Sequence, residues 1–500
     1  MSAAVEETDV LVVGAGPVGL ACAVELARRG VTCRVVDRRP EPRPGSRACT
    51  VWQRTLELFD TMGLPVAEYQ RAGVSFRHRV YHVFGRETVE LDVSEPDSPY
   101  PLPLLIGQPE TERLLTQALA GLGVRVERGW AATAARHPAP DTAAVTLAGT
   151  GGTREVRAQW VVLAQGSHAN LREPFGFGWH TKRFPGTQLV QVDARCAPEL
   201  GGPTTGHLWF GPLGTLGSLP LPDGRRRLFM STTDPDPSHV DAPTVDELRA
   251  LFRAGSGEPA LDLLDACFNW RIRLHNSVAD RLRSGRFLLA GDAARTVMPV
   301  SAQGMNTGIQ DAVNLGWKLA AVVRDKAPER LLDTYEAERM PVSHRLLAHT
   351  ERSYWGGQHE PPDPDLVVAG IRRNKRSQLD LAYPDSPLSG GRARGERIPN
   401  VRPDETGPGL FAALRRGSWV ALAFADGSGP AAAAAAAAVA GGRIGATTLV
   451  VPAAAPVRQR LGLAAGEGHL ILVRPDGHTG YAGALDEAPR VAEHLRVHLG

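Results

Sequence analysis

A chain of 500 residues with 43% hydrophobic and 22% charged residues has the make-up of a globular protein of about three domains, at ~100 to 200 residues each, and excludes a disordered or collagen-like chain. Fifty-six basic against 54 acidic residues leave a formal charge of +2, too balanced for the basic footprint of a nucleic-acid partner. The basic side is almost all arginine, with four lysines, which reads as coding bias before chemistry. Cys22, Cys33, Cys49, Cys196 and Cys267 are odd in number and form no CxxC pair, so neither a disulfide frame nor a metal site is expected. Glu6, Glu7 and Asp9 precede the first apolar run, where a signal peptide would be basic and then apolar. No apolar run reaches the ~18 residues of a membrane span. A cytoplasmic protein without a membrane partner is expected.

The first pattern is strand, turn, helix. Val10, Leu11, Val12 and Val13 meet GAGPVG, and a helical stretch follows over 17–29. Gly14, Gly16 and Gly19 fit GxGxxG: the first permits the tight turn, the second lets backbone approach a pyrophosphate, and the third lets helix pack on strand. Phosphate then sits at the helix N-terminus, where unpaired amides and the dipole favour negative charge. A second strand over 33–37 ends in Asp37, 23 residues after Gly14, a suitable acceptor for a ribose hydroxyl. These elements predict a dinucleotide site and leave the choice between FAD and NAD open.

Stretches rich in Pro and Gly punctuate the chain at 95–103, 235–243, 360–365 and 384–395, and the last reads as a linker. Between 181 and 273, β-like runs at 207–210, 215–221 and 226–232 alternate with turns, while 245–252 looks helical. This predicts a sheet inserted between nucleotide-binding segments. Residues 286–318 read RFLLAGDAARTVMPVSAQGMNTGIQDAVNLGWK. A strand over 287–290 ends at Gly291 and Asp292, a loop runs through Pro299, and a helix begins near Asn306 with Ile309, Ala312, Val313, Leu315 and Trp317 on its apolar positions. Taken alone, the acid closing that strand reads as an ordinary helix cap. Beyond 395 the expectation is a strand (419–424), an alanine-rich helix (431–440), a strand (447–451), two strands around RPDG, and a helix over 490–499. No internal repeat is evident.

Taken in order, these segments resemble the FAD-dependent aromatic hydroxylases, the single-component flavoprotein monooxygenases of the phenol hydroxylase and bacterial polyketide hydroxylase branch. The resemblance rests on GAGPVG, SRACTVWQRTLELFDTMGL (46–64), GQPETERLL (107–115), GDAA with the later proline and GMN, DAVNLGWK, YEAERMPV (335–342) and LVRPDG (472–477). It implies an α/β fold in three parts. These are a Rossmann-like FAD-binding domain (1–75, 101–178 and 274–345), an inserted β-sheet substrate domain with connecting helices (76–100, 179–273 and 346–392), and a thioredoxin-like C-terminal domain (393–500). It assigns the FAD pyrophosphate to Gly14, Gly16 and Gly19 and the adenosine ribose to Asp37, with Arg38 beside it. Arg47 and Gln108 would meet the phosphate and ribityl side, Asp292 the ribityl chain and Pro299 the ring. The amides at Gly304, Met305 and Asn306 would face the pyrimidine edge, where a helix N-terminus stabilises the negative charge of reduced flavin. A flat aromatic ligand would lie between sheet and flavin. His207, Trp209, Phe210 and Trp270 are its candidate lining, although strand aromatics are more often core.

The implied activity uses NAD(P)H and O2 to hydroxylate an electron-rich aromatic through a flavin C4a-hydroperoxide, with no acid or base assigned and self-association left open. Three departures from the family pattern stand out. Gln165 replaces the aspartate of an Asp-Gly pair implicated in nicotinamide binding, with Ala169 replacing the following serine. Arg295 replaces a histidine, and Ser301-Ala302 replaces a glycine pair. They keep alive an alternative, an oxidoreductase of the same fold with lost or altered oxygenation: redox, cyclisation or Baeyer-Villiger chemistry. The C-terminal segment holds no cysteine, so thiol chemistry is excluded there and a structural or docking role is expected.

Overall fold

Val10, Leu11 and Val12 are wholly buried because their strand, Glu6–Val13, lies between parallel neighbours on both sides, Gly152–Leu163 and Cys33–Asp37. A strand covered on both faces carries a continuous apolar run instead of an alternation. The sheet continues with Val126–Arg128 beyond Cys33–Asp37 and with Phe287–Leu289 and Arg283–Ser284 beyond Gly152–Leu163, and a hairpin of Ala131–Ala139 and Thr142–Gly149 extends from it. The structure, a computed structural model, describes residues 6–45, 47–85, 87–234, 236, 238–299, 302–352, 363–373, 376–402, 408–425, 446–452 and 468–499. The expected alanine helix over 431–440 and Ser301 lie outside the described residues. Among those described, no helix is long and apolar enough to cross a membrane, and no cluster of three His, Cys, Asp or Glu side chains is placed to hold a metal.

A second sheet of eight strands runs in the order Arg295–Thr296, Asp262–Ala279, Trp179–Ala197, Arg226–Thr233, Gly214–Pro220, Thr205–Gly211, His78–Val83, Glu87–Asp92. Its register sorts the side chains into two faces. Val190, Met230, Leu216 and Trp209 stand in one row and pack with Leu248 and Phe252 of the helix Val245–Ser256. That helix is held at its start by Thr244, whose hydroxyl accepts from the Glu247 amide at 3.2 Å. The neighbouring row, Gln191, Phe229 and Gly217 with Trp270, points the other way. There Phe229 meets Trp52, Cys49 and Phe76 and also Leu189, Leu274 and Met298. One face is therefore closed by the helix Val245–Ser256; the other is turned to the first sheet's loops around Phe229 and, at its Tyr81 and Leu208 end, packs against Val367, Val368 and Ile371 of the helix Pro364–Arg373.

The C-terminal sheet orders Gly390–Gly391, Thr479–Ala484, His469–Val473, Trp419–Ala425, Ala446–Pro452. Trp419–Ala425 runs parallel to Ala446–Pro452 and antiparallel to His469–Val473. The segment 384–395, which composition suggests is a linker, is instead packed. Leu388 is fully buried, Gly390–Gly391 pairs with Tyr481 and Ala482, and the Ser386 hydroxyl donates to Glu338 at 2.5 Å. Its prolines and glycines prevent a helix, but they leave room for anchoring side chains between them.

The RPDG motif joins this domain to the rest. Arg474 donates to both oxygens of Glu338 at 2.7 and 2.8 Å and pairs with Asp476. Asp476 also accepts from Trp317 Nε1 at 3.0 Å, and Lys318 reaches Glu338 at 2.7 Å. Glu338, Arg474 and Lys318 have no exposed side-chain surface. Burial alone would raise the Glu338 pKa, but Arg474 and Lys318 hold it well below the usual carboxylate range. Breaking one partner of such a network strands charge in the interior. Arg474→Met is expected to destabilise the protein by about 3–5 kcal/mol, read as a fall in urea midpoint at unchanged slope. A loss under about 1 kcal/mol would show that the network does not hold the domains together.

Candidate active site

The glycine loop has the shape of a phosphate cradle. Gly14 sits at φ +109°, and a Cβ there would lie 2.4 Å from the Ala164 carbonyl oxygen, while one at Gly19 would lie 1.9 Å from the Gly14 carbonyl oxygen. The chain crosses itself too closely for any side chain at either position. Gly16, by contrast, caps the helix Pro17–Ala27 and faces open space, with nothing within 4 Å of a Cβ. That opening at a helix N-terminus is where a pyrophosphate fits. Asp37 accepts from the Ala15 amide at 2.8 Å and the Arg39 amide at 2.9 Å, so it fixes the loop and keeps its outer lone pairs for a ribose. Arg38 is exposed beside it. Arg43 is pushed down to about 10 by partial burial and by the repulsion of Arg47, Arg39 and Arg38, which makes this rim strongly attractive to phosphate.

Across the cleft, Gln108 locks the start of its helix to residue 48: its amide donates to the Ala48 carbonyl at 3.1 Å and its side-chain oxygen accepts from the Ala48 amide at 3.3 Å. Arg47 is exposed and stacks over Trp270 at 5.0 Å. Solvent reaches Asp292, yet the crowding protein raises its pKa against the pull of Arg295 and Arg47. A Cβ at Gly304 would come within 4.0 Å of Asp292 Oδ1. Pro299 is exposed on the loop between them, and Gly304 and Met305 are half-buried at the start of the helix Gly304–Arg324.

Asn306 differs from the other two residues of that helix start. Its side chain is spent on the protein: the oxygen accepts from the Trp52 amide at 2.9 Å and the Thr55 hydroxyl at 2.8 Å, and the nitrogen donates to the Thr50 and Ala302 carbonyls, both at 2.9 Å. It staples the helix N-terminus to 50–55 and leaves only its backbone for a ligand. Trp52, which lies in the 46–64 motif but was assigned no role there, does the same from the other side, with Nε1 donating to the Ala302 carbonyl at 3.1 Å.

Of the three departures, Arg295 is the plainest. Its guanidinium is buried against Asp311, whose other oxygen takes Arg339 at 2.7 Å, so it buttresses the helix and does not reach into the cleft. Gln165 donates to Asn170 at 2.8 Å, while its Oε1 is buried without a partner and its backbone borders Gly14. An orphaned acceptor in the cleft suits a hydroxyl or amide donor from a bound dinucleotide. Ala302 adopts a left-handed backbone at φ +55°, a conformation that a glycine at this place would take without strain.

The sheet aromatics divide. Trp270 stands on the face turned to the cleft, and Phe210 shares that face but packs with Tyr81 against Val367, Val368 and Ile371 of the helix Pro364–Arg373. His207 and Trp209 do not: they stand on the opposite face, where Trp209 joins the core under Val245–Ser256 and His207 stacks with it and with His82. The cause is the period of two along Thr205–Gly211, which sends neighbouring residues to opposite faces; consecutive aromatics cannot line one pocket.

A glycine cradle at one helix N-terminus and a second helix N-terminus beside Asp292 are the arrangement of a dinucleotide-binding oxidoreductase. Residues 7–350 match the family described as an FAD binding domain, and 391–500 match the aromatic-ring hydroxylase C-terminal family. The chain is 35% identical to the 6-methylpretetramide 4-monooxygenase of Streptomyces rimosus, over 98% of this chain and 94% of that one. It is 33% identical to a 12-dehydrotetracycline 5-monooxygenase/anhydrotetracycline 6-monooxygenase of Streptomyces rimosus subsp. rimosus, over 79% of this chain and 80% of that one. The solved structure of OxyS anhydrotetracycline hydroxylase from Streptomyces rimosus superposes with a TM-score of 0.77 at 30% identity, covering 99% of each chain. The protein belongs to the FAD-dependent aromatic hydroxylase family; it is an FAD-dependent monooxygenase, with FAD as cofactor and NAD(P)H as co-substrate.

Gly14→Ala is expected to yield protein that retains less than about a tenth of the wild-type flavin after gel filtration, because the turn's left-handed backbone and the Ala164 carbonyl both oppose a methyl group. Full yellow colour in that variant would contradict the cradle. Asn306→Ala removes four hydrogen bonds and leaves buried partners unsatisfied. A loss of about 1–3 kcal/mol is expected by thermal or urea unfolding of the FAD-loaded protein.

Proposed function

We propose that the protein hydroxylates a polycyclic aromatic of polyketide type, a phenol or quinone, and acts in the cytoplasm with O2 as the oxygen source. The observation that carries this reading is the row of Gln191, Phe229 and Trp270, turned from the substrate sheet toward the loops that hold Trp52, Met298 and the start of Gly304–Arg324. A flat, largely apolar wall opposite a flavin-facing helix suits a fused aromatic. The names of the relatives, monooxygenases of tetracycline-type substrates, support the same class and favour oxygenation over the non-oxygenating alternative.

FAD, when bound, would supply the redox chemistry by which NAD(P)H and O2 deliver one oxygen atom to the ring. The chain itself supplies placement. Gly14, Gly16, Gly19 and Asp37 would hold the dinucleotide end, and Arg47, Gln108 and Asp292 would fix its middle. The backbone amides of Gly304, Met305 and Asn306 would meet the electron-rich edge of the ring system, where the dipole of a 21-residue helix favours negative charge. Trp270 would orient the substrate and exclude water, which matters because misplacing the reacting carbon by about 1 Å costs on the order of 100-fold.

The test is aerobic turnover with NADPH and a panel of polycyclic phenols and quinones. Stoichiometric O2 uptake with a product heavier by one oxygen atom is expected, and NADPH oxidation without any oxygenated product would refute the reading. Trp270→Ala should lower coupling, with more peroxide per NADPH, while His207→Gln, on the far face, should leave kcat/KM within about twofold of wild type. Equal effects of the two substitutions would mean that the cleft does not lie on the Trp270 face.

A further inference from the structure

Gly217 lies in the middle of the strand Gly214–Pro220 and has no left-handed backbone, so the conformation of the chain does not call for glycine there. A glycine inside a strand weakens it and marks a place where another group approaches closely. Here that group is a phenyl ring. Phe229 is the direct partner of Gly217 on the neighbouring strand, and a Cβ at 217 would lie 2.1 Å from Phe229 Cζ and 2.3 Å from Cε1. The ring is laid over position 217, in the volume that a side chain would fill, and does not stand up from the sheet.

The ring is also part of the cleft wall. Phe229 is half-buried and belongs to the row Gly217, Phe229, Gln191, Trp270. On one flank it packs with Cys49, Trp52 and Phe76, and on the other with Leu189, Leu274 and Met298, all of them buried. Both flanks are held by hydrogen bonds: Trp52 Nε1 donates to the Ala302 carbonyl at 3.1 Å, and the Met298 amide donates to the Asn276 side chain at 3.0 Å. With the flanks filled and the sheet behind it, the direction left to the ring is into the cleft. Carbon atoms rest at about 3.5–4.0 Å, so a methyl group at 217 would displace the ring by roughly 1.5 Å. Only the far end of a side chain has to yield, and the strand itself accommodates the change. Phe229 and Trp270 stand two strands apart, about 10 Å. A fused polycycle bridges that distance and a single ring does not, so a raised Phe229 obstructs the longer ligand selectively.

We propose that Gly217 and Phe229 together set the length of aromatic that the cleft admits: the glycine seats the phenyl ring in the sheet and keeps the wall flat from Trp270 to Met298. The inference rests on the aromatic-substrate reading above and adds the residue pair that makes room for fused rings. A side chain at 217 would turn the same cleft toward single-ring phenols.

The test uses the FAD-loaded full chain and three probes with one hydroxyl each on one, two and three linearly fused rings: phenol, 2-naphthol and 2-hydroxyanthracene. Affinity is read from the perturbation of the flavin spectrum, without turnover. The wild type should bind the three-ring probe more tightly than phenol. In Gly217→Ala the ratio of three-ring to one-ring affinity should fall roughly tenfold or more, the scale on which a pocket rejects a ligand that is slightly too large. In the double variant Gly217→Ala/Phe229→Leu, which removes the displaced ring, most of that ratio should return. An aromatic over a cross-strand glycine also shields backbone; a role confined to that would lower the melting temperature of Gly217→Ala, leave the ratio intact and show no recovery in the double variant, and this result overturns the proposal. So does a wild type that binds phenol as tightly as the three-ring probe, and so does a fall in Gly217→Ala that the second substitution does not relieve. Flavin content and melting temperature are recorded for each variant, so that a folding defect is visible, and Phe229→Leu alone, which keeps Gly217, should retain the wild-type preference for the three-ring probe. Failure of oxygen insertion with these probes would fail the hydroxylase reading instead, and the binding ratios separate the two.

Discussion

Every residue of the helix Gly304–Arg324 from Asn306 to Val323 is buried, and much of the molecule follows from that. A helix enclosed on all sides is expected to be apolar all round, yet this one carries Asn306, Thr307, Gln310, Asp311, Asn314 and Lys318. Each buried polar group needs a partner from elsewhere in the chain, and the partners come from different parts of the protein. Asn306 takes 50–55. Asp311 takes Arg295 and Arg339, and Asn314 and Lys318 take Glu338 and Asp476. Gln310 and Thr307 both bond to Gln378, which in turn bonds to Gln303. One helix thus sets the position of the nucleotide domain, the segment beneath the substrate sheet and the C-terminal domain at once.

The same enclosure makes the helix N-terminus precise. Its first turn is held by Asn306 and Trp52 from one side and by Gln303 from the other, so the amides that would meet the flavin do not depend on a mobile loop for their aim. Arg295, which at the level of sequence looks like a change of active-site chemistry, belongs to this scaffold: a permanent cation buried beside Asp311, tied into the Arg339 network. Gln165 is the departure that does touch the cleft, with one half of its amide anchored to Asn170 and the other half unpartnered.

The C-terminal domain has a comparable role. Its sheet holds no cysteine and brings no residue to the cleft among those described, but Arg474 and Asp476 plug into the buried faces of Gly304–Arg324 and Asp333–Arg352. At the far end, Arg28 and Arg29 reach from the Pro17–Ala27 helix to the carbonyls of Arg415 and Gly417. The domain therefore braces Gly304–Arg324, Asp333–Arg352 and the end of Pro17–Ala27, which gives the RPDG sequence a structural reason independent of catalysis.

Local chemistry was legible in the sequence. The turn at Gly14, the acid at Asp37, the strand ending at Asp292 and the helix after Gly304 are set by residues adjacent in the chain, and the order of the motifs carried the family. The sidedness of His207 and Trp209 was accessible in principle, since strand periodicity alone forbids them from sharing a face with Phe210, but which face meets the cleft depends on where the Val245–Ser256 helix packs. The anchored segment over 384–395 and the partners of Arg295 and Asn306 were not legible: only the tertiary structure brings in the groups that bind them, from 16 residues away for Asp311 to 256 for Thr50.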